Sequence, residues 1–121
     1  MNILHLSSSY PYNDLYRNLL RELDQKGIEQ TMYVALKDKN LKNKRLLTNS
    51  KSTDYIFSYP FNNIDRFIYY TKIKKVFIDL TNQVNLKKFD LVHAHFLFSD
   101  GGVAYNIKKT YGLDYIVAVR N

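Results

Sequence analysis

The chain has 121 residues, 45% of them hydrophobic, which is the size and apolar content of one compact core between layers of secondary structure. It has no cysteine, which excludes disulfides, thiolate metal sites and thiol nucleophiles and fits a reducing compartment. Its formal net charge of +7 draws it toward anionic surfaces such as lipid headgroups, nucleic acid or phosphorylated substrates, without choosing among them.

Asn2 to Leu6 is a short apolar run of the kind found in a strand buried on both faces, and Ser7-Ser8-Ser9-Tyr10-Pro11 ends it with turn chemistry. The opening residues lack the basic flank and long apolar stretch of a secretory signal, and no run approaches the roughly 20 apolar residues of a membrane span. A soluble, cytoplasmic domain is therefore expected.

From Asp14, Leu15, Leu19, Leu20 and Leu23 recur on one side of a helix, with Asn13 or Asp14 to cap its start and Gly27 to close it. Thr31 to Leu36 reads as the second strand, so a right-handed strand-helix-strand unit is implied. Lys37 to Ser52 carries Lys37, Lys39, Lys42, Lys44, Arg45 and Lys51 with little apolar content, which predicts a mobile, solvated loop.

Tyr55 to Tyr59 reads as a third strand ended by Pro60. A long second helix follows, with Ile64, Phe67, Ile68, Ile73, Val76, Phe77, Leu80 and Val84 near the helical period. Its lysines, Lys72, Lys74 and Lys75, read as a solvated face. Asp90 to Phe96 is the fourth strand, Ser99-Asp100-Gly101-Gly102 opens a third helix that Gly112 ends, and Tyr115 to Val119 is the fifth strand.

Strict alternation of strand and helix predicts an α/β, Rossmann-like three-layer sandwich. Its parallel sheet has order 3-2-1-4-5 and a switch point between strands one and four. Residues 1–121 are expected to make one such domain, cut from something longer because the chain stops at Arg120-Asn121 directly after a strand.

Ligands of such sheets bind beyond the carboxyl ends of the strands. The residues delivered there are Ser7, Ser8, Ser9 and Tyr10 after strand one, His95 and then Ser99, Asp100, Gly101 and Gly102 after strand four, and Arg120 and Asn121 after strand five. Hydroxyls, an imidazole, a carboxylate, a guanidinium and helix-start N–H groups suit a polyhydroxylated or phosphorylated ligand such as a sugar. Ser99 or Asp100 also serves as a helix cap, and the glycines as points of close helix-strand approach.

The first loop has no G-x-G-x-x-G for a dinucleotide and no acidic pair for the Mg²⁺ of a phosphorylated receiver. His93 and His95, two apart on a strand, face one side with a spacing compatible with a metal pair, and His5 on the neighbouring strand offers a third ligand. Positions inside strands favour hydrogen-bonded core residues for His5 and His93, so no metal and no cofactor is expected, and His95 is the functional candidate.

Asp90-Leu-Val-His-Ala-His-Phe96, Ser99-Asp-Gly-Gly102, Tyr111-Gly112 and Tyr115-Ile-Val-Ala-Val-Arg-Asn121 together resemble the acceptor-domain signature of the retaining GT-B glycosyltransferases of family four. The likeness covers nearly the whole chain, and its specific part runs from Asp90 to Asn121.

It implies two Rossmann-like domains across a cleft, the first holding the acceptor and the second the nucleotide sugar, with metal-independent transfer that retains anomeric configuration. It implies contact between His95, as the catalytic residue, and the donor sugar, with Arg120 and Asn121 bordering the cleft. The chain departs from the family in having Ser7-Ser8-Ser9-Tyr10 where many members have a Gly-Gly loop, and in lacking the nucleotide-sugar domain. A fragment without that domain is expected to be inactive alone.

The expected partners are a nucleotide-sugar donor, a glycan or lipid-linked acceptor in envelope polysaccharide synthesis, and an anionic inner membrane face docked through the basic loop. Nucleic acid is not expected, since no RNP motif, helix-turn-helix or interleaved aromatics accompany the lysines. A non-catalytic basic assembly module of the same fold is the competing class.

Overall fold

Five short strands lie side by side in one sheet, every pair parallel, in the order β3-β2-β1-β4-β5. They are β1 (Asn2–Leu6), β2 (Glu29–Ala35), β3 (Thr53–Ser58), β4 (Leu91–Ala94) and β5 (Tyr115–Val117), joined through α1 (Leu15–Gln25), α2 (Tyr69–Gln83) and α3 (Ser99–Tyr111). The structure, a computed structural model, describes residues 1–61 and 69–119, so Ile64, Phe67, Ile68, Arg120 and Asn121 lie outside the described residues.

The anticipated Rossmann-like order is thus the observed one. Among the described residues no helix is long and apolar enough to cross a membrane.

Parallel strands covered on both faces need near-continuous apolar sequence, and β1 and β2 have it: all but their first residues are buried. Side chains alternate between faces. Leu4, Leu6, Tyr33, Ala35, Val92 and Ala94 meet Ile73, Val76 and Leu80 of α2 and Val103, Ala104 and Ile107 of α3 in one core. Met32, Val34 and Leu36 meet Tyr16 and Leu20 of α1 in a second.

Strand boundaries shift where ladder partners decide them. β2 starts at Glu29 because that residue registers with Asn2 and Gln30 with Thr53, two residues before the apolar run. β4 ends at Ala94 because β5 supplies partners only as far as Val117. Backbone pairing still continues one residue further, with His95 N–H donating to Leu6 C=O at 3.0 Å and Ala118 N–H to Ala94 C=O at 2.9 Å.

Helix ends follow their local chemistry. Asn13, rather than Asp14, receives the Leu15 N–H at 2.9 Å. Gly27 (φ +77°) closes α1: its N–H donates to Asp24 C=O and that of Ile28 to Leu23 C=O, the paired bonds of a glycine-terminated helix. The buried stripe of α1 is Tyr16, Leu20 and Asp24, whereas Leu15 is exposed. This displaces the leucine-centred stripe, because a carboxylate inside the stripe has its own hydrogen-bond partners.

The segment from 37 to 52 departs from a purely solvated loop. Leu41 and Leu47 pack on the second core. Arg45 donates to Pro11 C=O at 2.8 Å and pairs with Asp14, while its own C=O receives the Tyr10 hydroxyl at 2.6 Å. Asp24 accepts the Ser50 hydroxyl at 2.8 Å, the Lys51 and Ser52 N–H groups at 3.2 Å and the Thr53 hydroxyl at 2.6 Å. These bonds hold the Asp24 carboxyl well below the usual carboxylate range, those from Thr53 and Ser50 most strongly. Lys37, Lys39, Lys42 and Lys44 remain exposed, as their charge requires.

Candidate functional site

The carboxyl ends of β1 and β4 bring two short segments together: the turn from Ser7 to Ser9, and the start of α3. Ser7 is buried and its N–H donates to Tyr33 C=O at 3.2 Å; its hydroxyl has no partner among the described residues. Ser8 is half-buried beside Ser99 and Asp100. With Lys72, Phe61 and Ile73 these residues line a pocket of about 20 Å³, room for a single water.

The start of α3 is built differently from a capped helix. Phe98 occupies the capping position with no side-chain bond, so neither Ser99 nor Asp100 caps, and Asp100 sits buried in the first turn. A side chain at Gly101 would meet Phe96 C=O at 3.4 Å and Val117 at 3.6 Å, so this glycine does allow the helix to approach the sheet. Gly102 instead serves the packing of α3 on α2, since a Cβ there would stand 2.5 Å from the Tyr69 hydroxyl. That hydroxyl donates to Phe98 C=O and ties the start of α2 to the start of α3.

Burial pushes the Asp100 carboxyl up to about 7 against the opposing pull of the Ser8 N–H, the Lys72 ammonium and the Phe96 N–H. Near neutral pH the group is therefore poised between acid and anion. Lys72 is displaced downward, by its own desolvation first and by repulsion from Lys37 second. Both ammonium groups stand over the Phe61 ring, Lys37 at 6.0 Å and Lys72 at 5.4 Å from its centre. Two mutually repelling cations beside a serine turn and a helix start form a rim suited to an anionic ligand.

The other anticipated residues fall elsewhere. Tyr10 is closed into the second core, its hydroxyl bonded to that of Tyr55 at 2.8 Å, and burial raises its ionisation far above the usual range. His95 has no exposed surface and lies under the rim, edge-on to Tyr16 at 5.2 Å and stacked on His93 at 4.0 Å. Of the three groups foreseen at one edge, Ser8 is at the rim, His95 is beneath it, and Arg120 lies outside the described residues.

Beneath the rim, on the α1 face, the histidines form a cluster. His5 and His93 are register partners in adjacent strands, and His5 Nδ1 lies 3.0 Å from His95 Nε2. His5 Nε2 lies 2.9 Å from Gln30 Oε1, while Gln30 Nε2 donates to Leu20 C=O at 2.7 Å and to the Thr53 hydroxyl at 2.8 Å. A backbone carbonyl only accepts, so the amide orientation of Gln30 is determined and its oxygen must face His5. His5 accordingly carries its proton on Nε2 and presents a lone pair at Nδ1. Burial and the charge of His93 hold the His5 pKa down to about 3, so the ring is neutral.

Gln30, Tyr16 and Asp24, which organise this face, are not singled out by sequence reasoning, and Lys37 and Lys72, which flank the rim, read there as loop and solvated-face charges. One signal was present: Gln30 is an amide just ahead of the apolar run of β2, which begins at Met32. A hollow of about 710 Å³ lies at the opposite, amino-terminal edge, lined by Met1, Glu29, Ser52 and Asp54 and reaching Gln30.

No protein-family model matches the chain, and no curated protein matches it.

Proposed function

We propose that the chain is the acceptor-side domain of a retaining glycosyltransferase of the GT-B type. In this reading a sugar passes from a nucleotide-sugar donor, held by a second Rossmann-like half, to a glycan or lipid-linked acceptor at the cytoplasmic membrane face. The reading rests on the segment from Asp90 to Asn121. The observation that carries it in three dimensions is the switch point between β1 and β4, which gathers Ser8, Ser99, Asp100 and Lys72 at one rim.

The division of labour follows from the charges. Lys37 and Lys72 attract the phosphates of an anionic substrate, and the serine turn offers hydroxyls to its sugar or phosphate oxygens. Asp100, close to half-ionised at neutral pH, accepts or donates a hydrogen bond to a substrate hydroxyl. His95 is wholly buried on the α1 face, so in this domain by itself it presents no surface to the donor sugar. The exposed lysines between Lys37 and Lys44 dock the domain on anionic lipid.

The test uses the complete polypeptide encoded with this domain. It is assayed for transfer from a panel of nucleotide sugars to lipid-linked and soluble glycan acceptors. Transfer by the complete protein, absent from residues 1–121 alone and with a raised KM in Lys72→Ala, is the expected result. No transfer from any donor, or a complete protein without a second Rossmann-like half, overturns the reading.

A further inference from the structure

We propose that His5, His93 and His95 form a binding site for one Zn²⁺ ion, independently of the function proposed above. One ring nitrogen from each residue lies within 4.8 Å of the others. Two imidazoles on one tetrahedral Zn²⁺ place their nitrogens about 3.3 Å apart, since each Zn–N bond is about 2.0–2.1 Å. His5 Nδ1 and His95 Nε2, at 3.0 Å, already stand at nearly that separation.

The second line of support is the shell behind the cluster. A zinc-bound histidine donates its other N–H to an acceptor that fixes its tautomer and orientation. His5 has this arrangement: Gln30 Oε1 receives Nε2–H, Leu20 C=O and the Thr53 hydroxyl hold the amide in place, and Asp24 in turn accepts from Thr53. The lone pair at Nδ1 is thereby held against His95 Nε2, inside the cluster. Metal binding replaces the His5–His95 hydrogen bond, with His95 taking the tautomer that frees Nε2.

Access is from the β5 side. His5 and His95 are fully buried, but His93 is half-buried and its register partner in β5, Ile116, is exposed on the same face. Three imidazoles and one open side match a site that keeps a coordination position for water or a ligand, rather than a closed four-ligand structural site. Imidazole ligands and the absence of cysteine suit Zn²⁺ and its late first-row neighbours over hard, oxygen-seeking Mg²⁺ or Ca²⁺. The cluster holds all 3 histidines of the chain, so an ion bound through imidazole has no other histidine to use.

The experiment uses untagged, chelator-treated chain titrated with Zn²⁺ by calorimetry and with Co²⁺ by visible absorption. The expected result is one ion per chain and the intense visible bands of tetrahedral Co²⁺. His93→Ala, with an unchanged circular dichroism spectrum, should bind at least ~100-fold more weakly, and Gln30→Met, which removes the acceptor behind His5 along with the bonds to Leu20 and Thr53, ~10–100-fold more weakly if its spectrum is also unchanged. Absence of stoichiometric binding by folded wild type overturns the proposal, as does unaltered affinity in His93→Ala. Should that variant not fold, ¹⁵N resonances of the wild-type rings decide: Zn²⁺-dependent shifts at all three histidines support the site, and shifts at fewer overturn it.

Discussion

The two faces of the sheet are made of different materials. The face under α2 and α3 is an apolar core in which Leu80, Val92 and Ile107 are shielded from water, and Asp100 at its rim is its one buried carboxyl group among the described residues. The face under α1 mixes leucine and methionine with buried His5, His95, Gln30 and Asp24, joined by hydrogen bonds that reach across 10 to 29 positions of sequence or more. Packing alone accounts for the first. The second is stable only with every polar group in place, because a buried donor or acceptor left unpaired costs about 1–3 kcal/mol.

The sharpest way to break the comparison is to damage the apolar face. Leu80→Ala should cost about 2–5 kcal/mol in urea unfolding at neutral pH, the sum of lost transfer energy and a cavity. It should leave the acid side of the pH dependence of stability unchanged, since His5 and Asp24 belong to the other face; a changed acid profile would show that the two faces are coupled.

The next effect comes from acid. His5 titrates near 6.5 when unfolded and at about 3 when folded, so its contribution is complete above pH about 6.5 and is lost as pH falls toward 3. Asp100 works in the opposite sense. Its pKa rises on folding from the ordinary carboxyl value of 3.8 to about 7, so its contribution is complete below about 3.8 and is lost as pH rises through 7. Between pH about 4.5 and about 6.5 the two slopes cancel in wild type. Asp100→Asn removes one of them, and chelator-treated variant should then lose about 1.4 kcal/mol per pH unit on acidification through this range. A flat profile in the variant would show that His5 is not held neutral.

The smallest effect is the converse one. At pH about 8, where wild type must keep an ionised Asp100 buried, Asp100→Asn should be more stable by roughly 2 kcal/mol in the same urea assay. Lower stability would mean that the carboxylate has compensating partners at the rim.

The fold was legible where one face of an element is apolar. Leu4, Leu6 and Val92 announce buried strands, and Ile73, Val76 and Leu80 announce the stripe of α2, because burial selects residues at the period of the backbone itself. Gly27 and Gly112, both with positive φ, were equally plain as helix stops. Of the candidate site residues, the serine turn and Asp100 lie beyond the carboxyl ends of β1 and β4, where the two strands are neighbours. Tyr10 was assigned to the rim on chain position, and His95 on chain position and the family resemblance; both side chains are fully buried.

The α1 face resisted reading for a physical reason. Gln30 bonds Leu20 and Thr53, Asp24 bonds Ser50 to Thr53, and Arg45 bonds Pro11. None of these pairs has a period, since each partner comes from a separate element. A polar residue in sequence reads as solvent-facing until something fills its hydrogen bonds.

Alternation and apolar periodicity, expressed in local backbone geometry and the water-avoidance of single side chains, were sufficient to determine an α/β chain with a parallel sheet of order 3-2-1-4-5. Only the tertiary structure decided that three histidines separated by up to 90 positions would meet, and that Gln30 would set the proton of one of them. It also decided that Lys37 and Lys72 would share a phenylalanine ring. Those outcomes depend on which strands become neighbours and on desolvation by distant groups, and neither quantity exists until the chain has closed on itself.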